Sequence, residues 1–200
     1  MKKTYRLVIL AMFVCIELVL MLTPLGYIPI GPIRATTMHI PVILAGLLLG
    51  KKEGALIGFV FGLTSVVVNT LTPTVVSFVF TPFYSIGGIS GNGLSLVIAL
   101  VPRVLLGYVS GLLNEKINKE EKIARTGSIA VIVTLMHTLL VLEGIYIFFG
   151  EAYASAREIP YQTLAMVIGT IILTNGIMEA ILAGIASVTI TQAVKHVRRN

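Results

Sequence analysis

The chain has 200 residues, of which 56% are hydrophobic and only 12% charged, with a mean hydropathy of +0.96. Soluble domains carry about a quarter charged residues, so this composition excludes an ordinary water-facing surface and indicates a polytopic membrane protein. The net charge of +6 sits in short clusters between apolar runs, a topology pattern and not a nucleic-acid footprint, and a single cysteine excludes an intrachain disulfide or thiolate metal cluster.

Backbone groups in lipid must be satisfied internally, and the apolar runs are continuous with no period-two alternation, which predicts helices over a barrel. The expected fold class is an all-α membrane protein, a six-helix bundle in one integral-membrane domain over residues 1–200. Its spans are expected at 5–23, 36–50, 53–71, 93–114, 126–149 and 162–193. The first run is too long and too poorly matched to a cleavage site for a removed signal peptide. It carries Ala11 and Cys15, small residues four apart. That spacing puts both on one helix face, where backbones can approach closely. The pair reads either as internal packing or as a docking face for another membrane subunit.

Next comes TPLGYIPIGPIRATTMHIPV, Thr23 to Val42, with four prolines and two glycines. It is too apolar for a solvated loop and too broken for a helix. The second span is short, about 15 residues or ~22 Å at the usual rise. The Pro/Gly segment is therefore expected to dip into the protein, where irregular backbone is tolerated if it lines a cavity. Thr36 and His39 stand at its far end. Glycines 46, 50, 54, 58 and 62 then recur every fourth residue through spans two and three, as a packing face, and Asn69 stands near the end of span three.

A second broken apolar stretch, Thr72 to Gly93, brings Phe78, Phe80, Phe83 and Tyr84. Two such segments on one side read as the walls and lid of a pocket, against the plainer reading of two loops resting on headgroups. The run GGISGNG within it lacks the Lys-Ser/Thr of a P-loop, and no Walker motif, nucleophile elbow or HExxH occurs. In span four, Arg103 of VPRVLL lies about ten residues from the helix start, near mid-membrane. A charge there costs at least roughly 3 kcal/mol and marks a functional site by default. Its neighbour Pro102 frees a backbone carbonyl. The competing reading is a structural ion pair with Glu17, Glu143 or Glu179. His137, Glu143, Asn175 and Glu179 add polar groups to spans five and six, and Gly107/Gly111 and Gly176/Ala180/Gly184 repeat the small-residue spacing. Each polar residue alone reads as a helix-to-helix hydrogen bond; together with His39 and Asn69 they furnish the few convergent groups a small-molecule pocket needs. The three histidines show no metal-ligand spacing.

With both termini cytoplasmic, twelve of the 15 Lys and Arg fall in inner segments, among them Lys2, Arg6, Lys51, Lys119 and Arg199. Arg34 and Arg157 are outer and Arg103 is within a span. This bias sets the expected orientation.

The blocks TPLGYIPIGPIRATTMHIPVILAGLLLGKKEGALIGFVFGLTS, TPTVVSFVFTPF and VPRVLLGYVSGLL resemble the substrate-binding S components of energy-coupling factor (ECF) vitamin transporters, over roughly residues 5–150. Within that family the likeness is to the pantothenate type. The resemblance implies six helices, no cofactor, and a vitamin site opening outward beneath the loop between spans one and two. It also implies a transmembrane T subunit and two cytoplasmic ATPases as partners in the bacterial cytoplasmic membrane. Ala11 and Cys15 would be the T-docking face, with Cys15 departing from the family's usual alanine. The ligand set expected is Thr36, His39, Asn69, Phe80, Tyr84, Arg103, His137 and Asn175. The chain has no Trp, unlike thiamin-type relatives, and Arg103 suits the carboxylate of pantothenate. Hydroxymethylpyrimidine, pyridoxine and riboflavin remain alternatives, because the Phe and Tyr residues could embrace a ring. Two other classes compete: an intramembrane enzyme using His39, His137 or Glu179 as acid/base, and a stand-alone proton-coupled carrier using Glu143 or Glu179.

Overall fold

Continuous apolar sequence with few breakers produces long helices, and the computed structural model, which describes residues 3–30, 33–117 and 122–197, is built almost wholly of them. In chain order these are α1 (Lys3–Leu22), α2 (His39–Leu49), α3 (Lys51–Leu71), α4 (Gly93–Lys116) and α5 (Lys122–Ala156). A final rod follows, made of α6 (Leu164–Ile171), a π-helical turn (Ile172–Gly176) and α7 (Ile177–Val197). α1, α3, α4, α5 and the final rod are each long and apolar enough to cross a membrane. α2 has 11 residues, about 16 Å of helix against a hydrocarbon core of about 30 Å. Lys2, Lys119, Arg198 and Arg199 of the cation clusters, and Gly31 and Pro32 of the first broken segment, lie outside the described residues.

The expected all-α architecture holds, with two short strand pairs added at the end of the bundle opposite the cations. The first broken segment forms an antiparallel pair, β1 (Tyr27–Ile30) with β2 (Ile33–Thr36), in the register Tyr27↔Thr36. Isoleucines and Thr36 favour extended backbone. The second segment holds a shorter pair, β3 (Ser85–Ile86) with β4 (Ile89–Ser90). Gly87 and Gly88, at φ of 55° and 82°, supply the turn, since a two-residue hairpin of this kind needs positive φ that glycine adopts without strain. The run GGISGNG is thus a hairpin turn leading into a helix cap. Asn92 Oδ1 accepts the Leu94 N–H at 2.8 Å, and the Asn92 N–H donates to Ser95 Oγ at 3.0 Å.

The glycine ladder packs α2 and α3 against α4. A Cβ at Gly58 would run into the Arg103 carbonyl oxygen, one at Gly54 into that of Gly107, and one at Gly62 would lie 2.9 Å from that of Ala99. Gly46 meets Gly107 and Ser110, and Gly111 meets the backbone at Lys51. Backbone therefore touches backbone along most of these helices. Gly176 and Gly184 do the same against Thr138 and Val131 of α5, though through side chains. At the basic end Arg6 bonds the Leu49 carbonyl and pairs with Glu53, while Lys51 pairs with Glu115 at 2.8 Å.

Replacing Gly58 by Ala pushes a methyl group onto main chain that cannot yield, and overpacking of this kind costs about 1–3 kcal/mol. Gly58→Ala is expected to lower the thermal unfolding temperature in detergent. Gly169→Ala, in α6 with nothing within 4 Å of the added atom, is expected to leave it unchanged or raise it.

Candidate functional site

Pro102 has no N–H, so the Ile98 carbonyl one turn earlier in α4 loses its helical partner. The adjacent Arg103 takes it: Nη1 donates to Ile98 O at 2.6 Å. The guanidinium is buried, with its Cζ 5.5 Å from the centroid of Phe61 and 5.3 Å from that of Phe80. Such rings attract a desolvated cation through their faces. Phe61 comes from α3, held at this depth by Gly58 and Gly62. Phe80 comes from the second broken segment. His137 of α5 stands beside Phe61, ring centroids 6.2 Å apart.

His137 lies within electrostatic reach of both Arg103 and His39, and the Arg103 charge also acts on Glu179. His39 opens α2 with its buried ring facing the backbone of Thr36 and Glu179. Nε2 of His137 and Oγ1 of the next residue, Thr138, are buried without a partner. Glu179 of α7, also buried, accepts the Thr36 N–H at 2.7 Å. Arg103, Phe80, His137, His39 and Thr36 of the expected set therefore gather beneath the two strand pairs, joined by Phe61 and Glu179.

The other expected residues are placed differently. Asn69 is a clamp: its Nδ2 donates to the Ser65 carbonyl at 2.8 Å and its Oδ1 accepts from Ser77 Oγ at 2.7 Å. With Thr70 on Thr81 at 2.7 Å and Ser95 Oγ on the Phe78 carbonyl at 2.7 Å, it fixes the segment that carries Phe80. Tyr84 is half-buried in the same segment, and Asn175 is half-buried in the π-helical turn. Of the proposed counter-ions, Glu143 is exposed, and Glu17 is fully buried with neither oxygen hydrogen-bonded. Phe61 escaped the sequence reading because a phenylalanine within a glycine-patterned helix reads as core.

Two cavities are prominent among the described residues, and both lie along α1. A groove of about 750 Å³ runs between α1, α2 and α7, lined by Phe13, Leu20, Pro41, Leu44 and Ile190 among others. A shallower one of about 470 Å³ is lined by Val8, Ala11, Met12, Cys15 and Ile16. Neither reaches Arg103. The rings of Phe61 and Phe80 lie against that guanidinium.

These features define a multi-pass helical membrane protein with a buried arginine and two buried histidines among its spans. The family model for "ECF transporter, substrate-specific component" matches residues 5–191, and the chain belongs to that family. It is 33% identical over 205 residues to the "Pantothenic acid transporter PanT" of Lactococcus lactis subsp. cremoris, covering 99% of this chain and 97% of that protein. It is 31% identical over 191 residues to the "Pantothenate transporter PanT" of Leuconostoc mesenteroides subsp. mesenteroides, covering 90% and 86%. Transport, and not catalysis, is the business of this family.

Removing Asn69 takes away the acceptor of the fully buried Ser77 hydroxyl, which keeps the Thr74 N–H at 2.9 Å, at a cost of about 0.5–1.5 kcal/mol. Asn69→Ala is expected to lower the unfolding temperature and to speed hydrogen exchange across residues 74–81 more than elsewhere. Unchanged exchange there would remove the clamp from the description.

Proposed function

We propose that this S component captures pantothenate from outside the cell and hands it inward through a complex with a transmembrane T subunit and two cytoplasmic ATPases. The observation that carries the reading is a buried guanidinium near the buried, unpartnered Nε2 of His137, in a chain whose relatives are named for pantothenate. Pantothenate is a small, flexible, hydroxylated carboxylate. A guanidinium in a dry site grips a carboxylate through paired, charge-assisted hydrogen bonds. His39, His137 and Thr36 offer partners for the hydroxyl and amide groups, with Asn175 and Tyr84 toward the rim and Phe80 as an apolar wall for the gem-dimethyl group. Asn69 acts through the segment it holds.

In the same reading the hairpin end faces outward and both termini are cytoplasmic, which the cation distribution supports. The chain makes six passes of the bacterial cytoplasmic membrane as a single domain, α2 and the strand pair above it together serving as the second. Ala11 and Cys15 are exposed on α1, where they are free to meet the T subunit, while the other small-residue ladders are spent within the bundle.

Calorimetric titration of the purified protein tests the site. Arg103→Ala is expected to weaken pantothenate binding by about thirtyfold or more, in line with the 2–5 kcal/mol typical of truncating one side of a buried charge pair. The alcohol analogue lacking the carboxylate should bind the native protein about as weakly, and Arg103→Ala should cost that analogue little more. Equal losses for acid and alcohol would show that Arg103 does not read the carboxylate. Orientation is tested separately: protease tags at both termini are expected to be cut in inside-out vesicles and spared in right-side-out ones.

A further inference from the structure

The bond from Thr36 to Glu179 joins the end of β2 to α7. Thr36 ends β2, and its main-chain N–H donates 2.7 Å to Glu179 Oε1 across 143 residues of chain. The other bonds at the base of this strand pair stay within the loop. Thr37 N–H reaches Gly26 O at 3.2 Å, Thr37 Oγ1 reaches Leu25 O at 2.6 Å, and Met38 N–H reaches Thr36 Oγ1 at 3.3 Å. They shape the hairpin but do not hold it to the bundle. Glu179 does, from a firm seat. It is buried one turn beyond the π-helical turn Ile172–Gly176, with Gly176 packed on Thr138 of α5 and Ala180 buried beside it. The extra residue of a π turn rotates all that follows by about 100°, so this turn sets which face of α7 meets β2.

We infer that Glu179 is the latch of the β1–β2 hairpin: its carboxylate holds the Thr36 amide, keeping β2 closed over the Arg103, His39 and His137 cluster until the hairpin parts. The acceptor is a side chain and the donor is main chain, so closure depends on the residue at 179 and on the presence of an N–H at 36. Glutamine at 179 keeps an acceptor of the same reach. Alanine has none.

The first test needs no ligand. Hydrogen exchange of the full chain in lipid nanodiscs, resolved at single amides, is expected to show Thr36 protected in the native protein and in Glu179→Gln. In Glu179→Ala it should exchange roughly ten- to hundredfold faster, the range supported by one hydrogen bond to a charged acceptor, with the amides of α2 and α7 unchanged. Equal protection in all three proteins, or a loss in Glu179→Ala spread through α2 and α7, overturns the latch. The second test rests on the pantothenate reading. Glu179→Ala, and Thr36→Pro, which deletes the donor without touching α7, should each release bound pantothenate at least tenfold faster than native protein, and Glu179→Gln less than threefold faster. Release at the native rate from both Glu179→Ala and Thr36→Pro overturns the proposal. A native protein that does not bind pantothenate refutes that reading alone, and the amide-exchange result still decides the latch.

Discussion

A guanidinium held halfway along a membrane helix must find its partners within the protein, and much of this fold serves that requirement. Lipid offers no hydrogen bonds, so an unsatisfied charge at that depth would cost several kcal/mol. The neighbouring proline solves half of the problem by releasing a carbonyl that Arg103 then occupies at 2.6 Å. Each of the two groups is the remedy for the other: the helix break would leave an orphan acceptor, and the cation would lack a donor's target. Aromatic faces supply more of the balance. Phe61 can reach because α3 lies backbone to backbone on α4, and Phe80 can reach because buried hydroxyls of Ser77, Thr81 and Ser95 pin its segment. The glycine ladder, the hydroxyl clamps and the proline thus act together on one side chain.

Small residues four apart appear in several helices, yet they have two different fates. Those of α2, α3, α4 and α7 are consumed inside the bundle, where an added methyl would meet neighbouring backbone or side chains. Those of α1 are not. Only Phe13 and Glu17 of that helix are buried, and apolar grooves flank it on the sides described above. Its firm attachment is at the basic end, through Arg6 to the Leu49 carbonyl and Glu53. A helix fixed at one end and bare along most of its length is the element of this bundle best suited to receive another membrane protein.

Hydropathy made the helices legible, because continuous apolar runs of the right length have one solution in lipid. It also exposed α2 as too short to cross alone. The strand pairs were hidden: in TPLGYIPIGPIRATT the prolines signal only a broken helix, and alternation is lost when both faces are apolar. Spacing revealed that glycines 46 to 62 share a face, but not that α4 is what they meet. Arg103 stood out because a lone charge in an apolar run is rare, whereas Phe61 looked like any core residue. Polar residues near helix ends were the hardest to place. Asn69 can turn toward a pocket or toward its own loop with a change of one rotamer, and the choice was made by Ser77 eight residues on. Glu179 read as a counter-ion for Arg103, and its bond to a main-chain amide carries no sequence signature at all.

Where this molecule can open follows from how its parts are held. α2, α3 and α4 interlock through main chain, so separating them would strip close packing along several turns at once. The α5 and α7 pair is joined along its length by Gly176 and Gly184. Against these, the described bond that ties the β1–β2 connection to α7 is the one from Thr36 to Glu179, worth about 1.5–3 kcal/mol when one partner is charged, whereas the second connection also buries Phe78 and Val79 in the core. Differences of that size permit opening on functional timescales, while breaking the helix interfaces would amount to unfolding. Rigidity in the bundle and looseness at its cap are two results of one sequence pattern, in which glycine ladders run through the spans and stop where the broken segments begin.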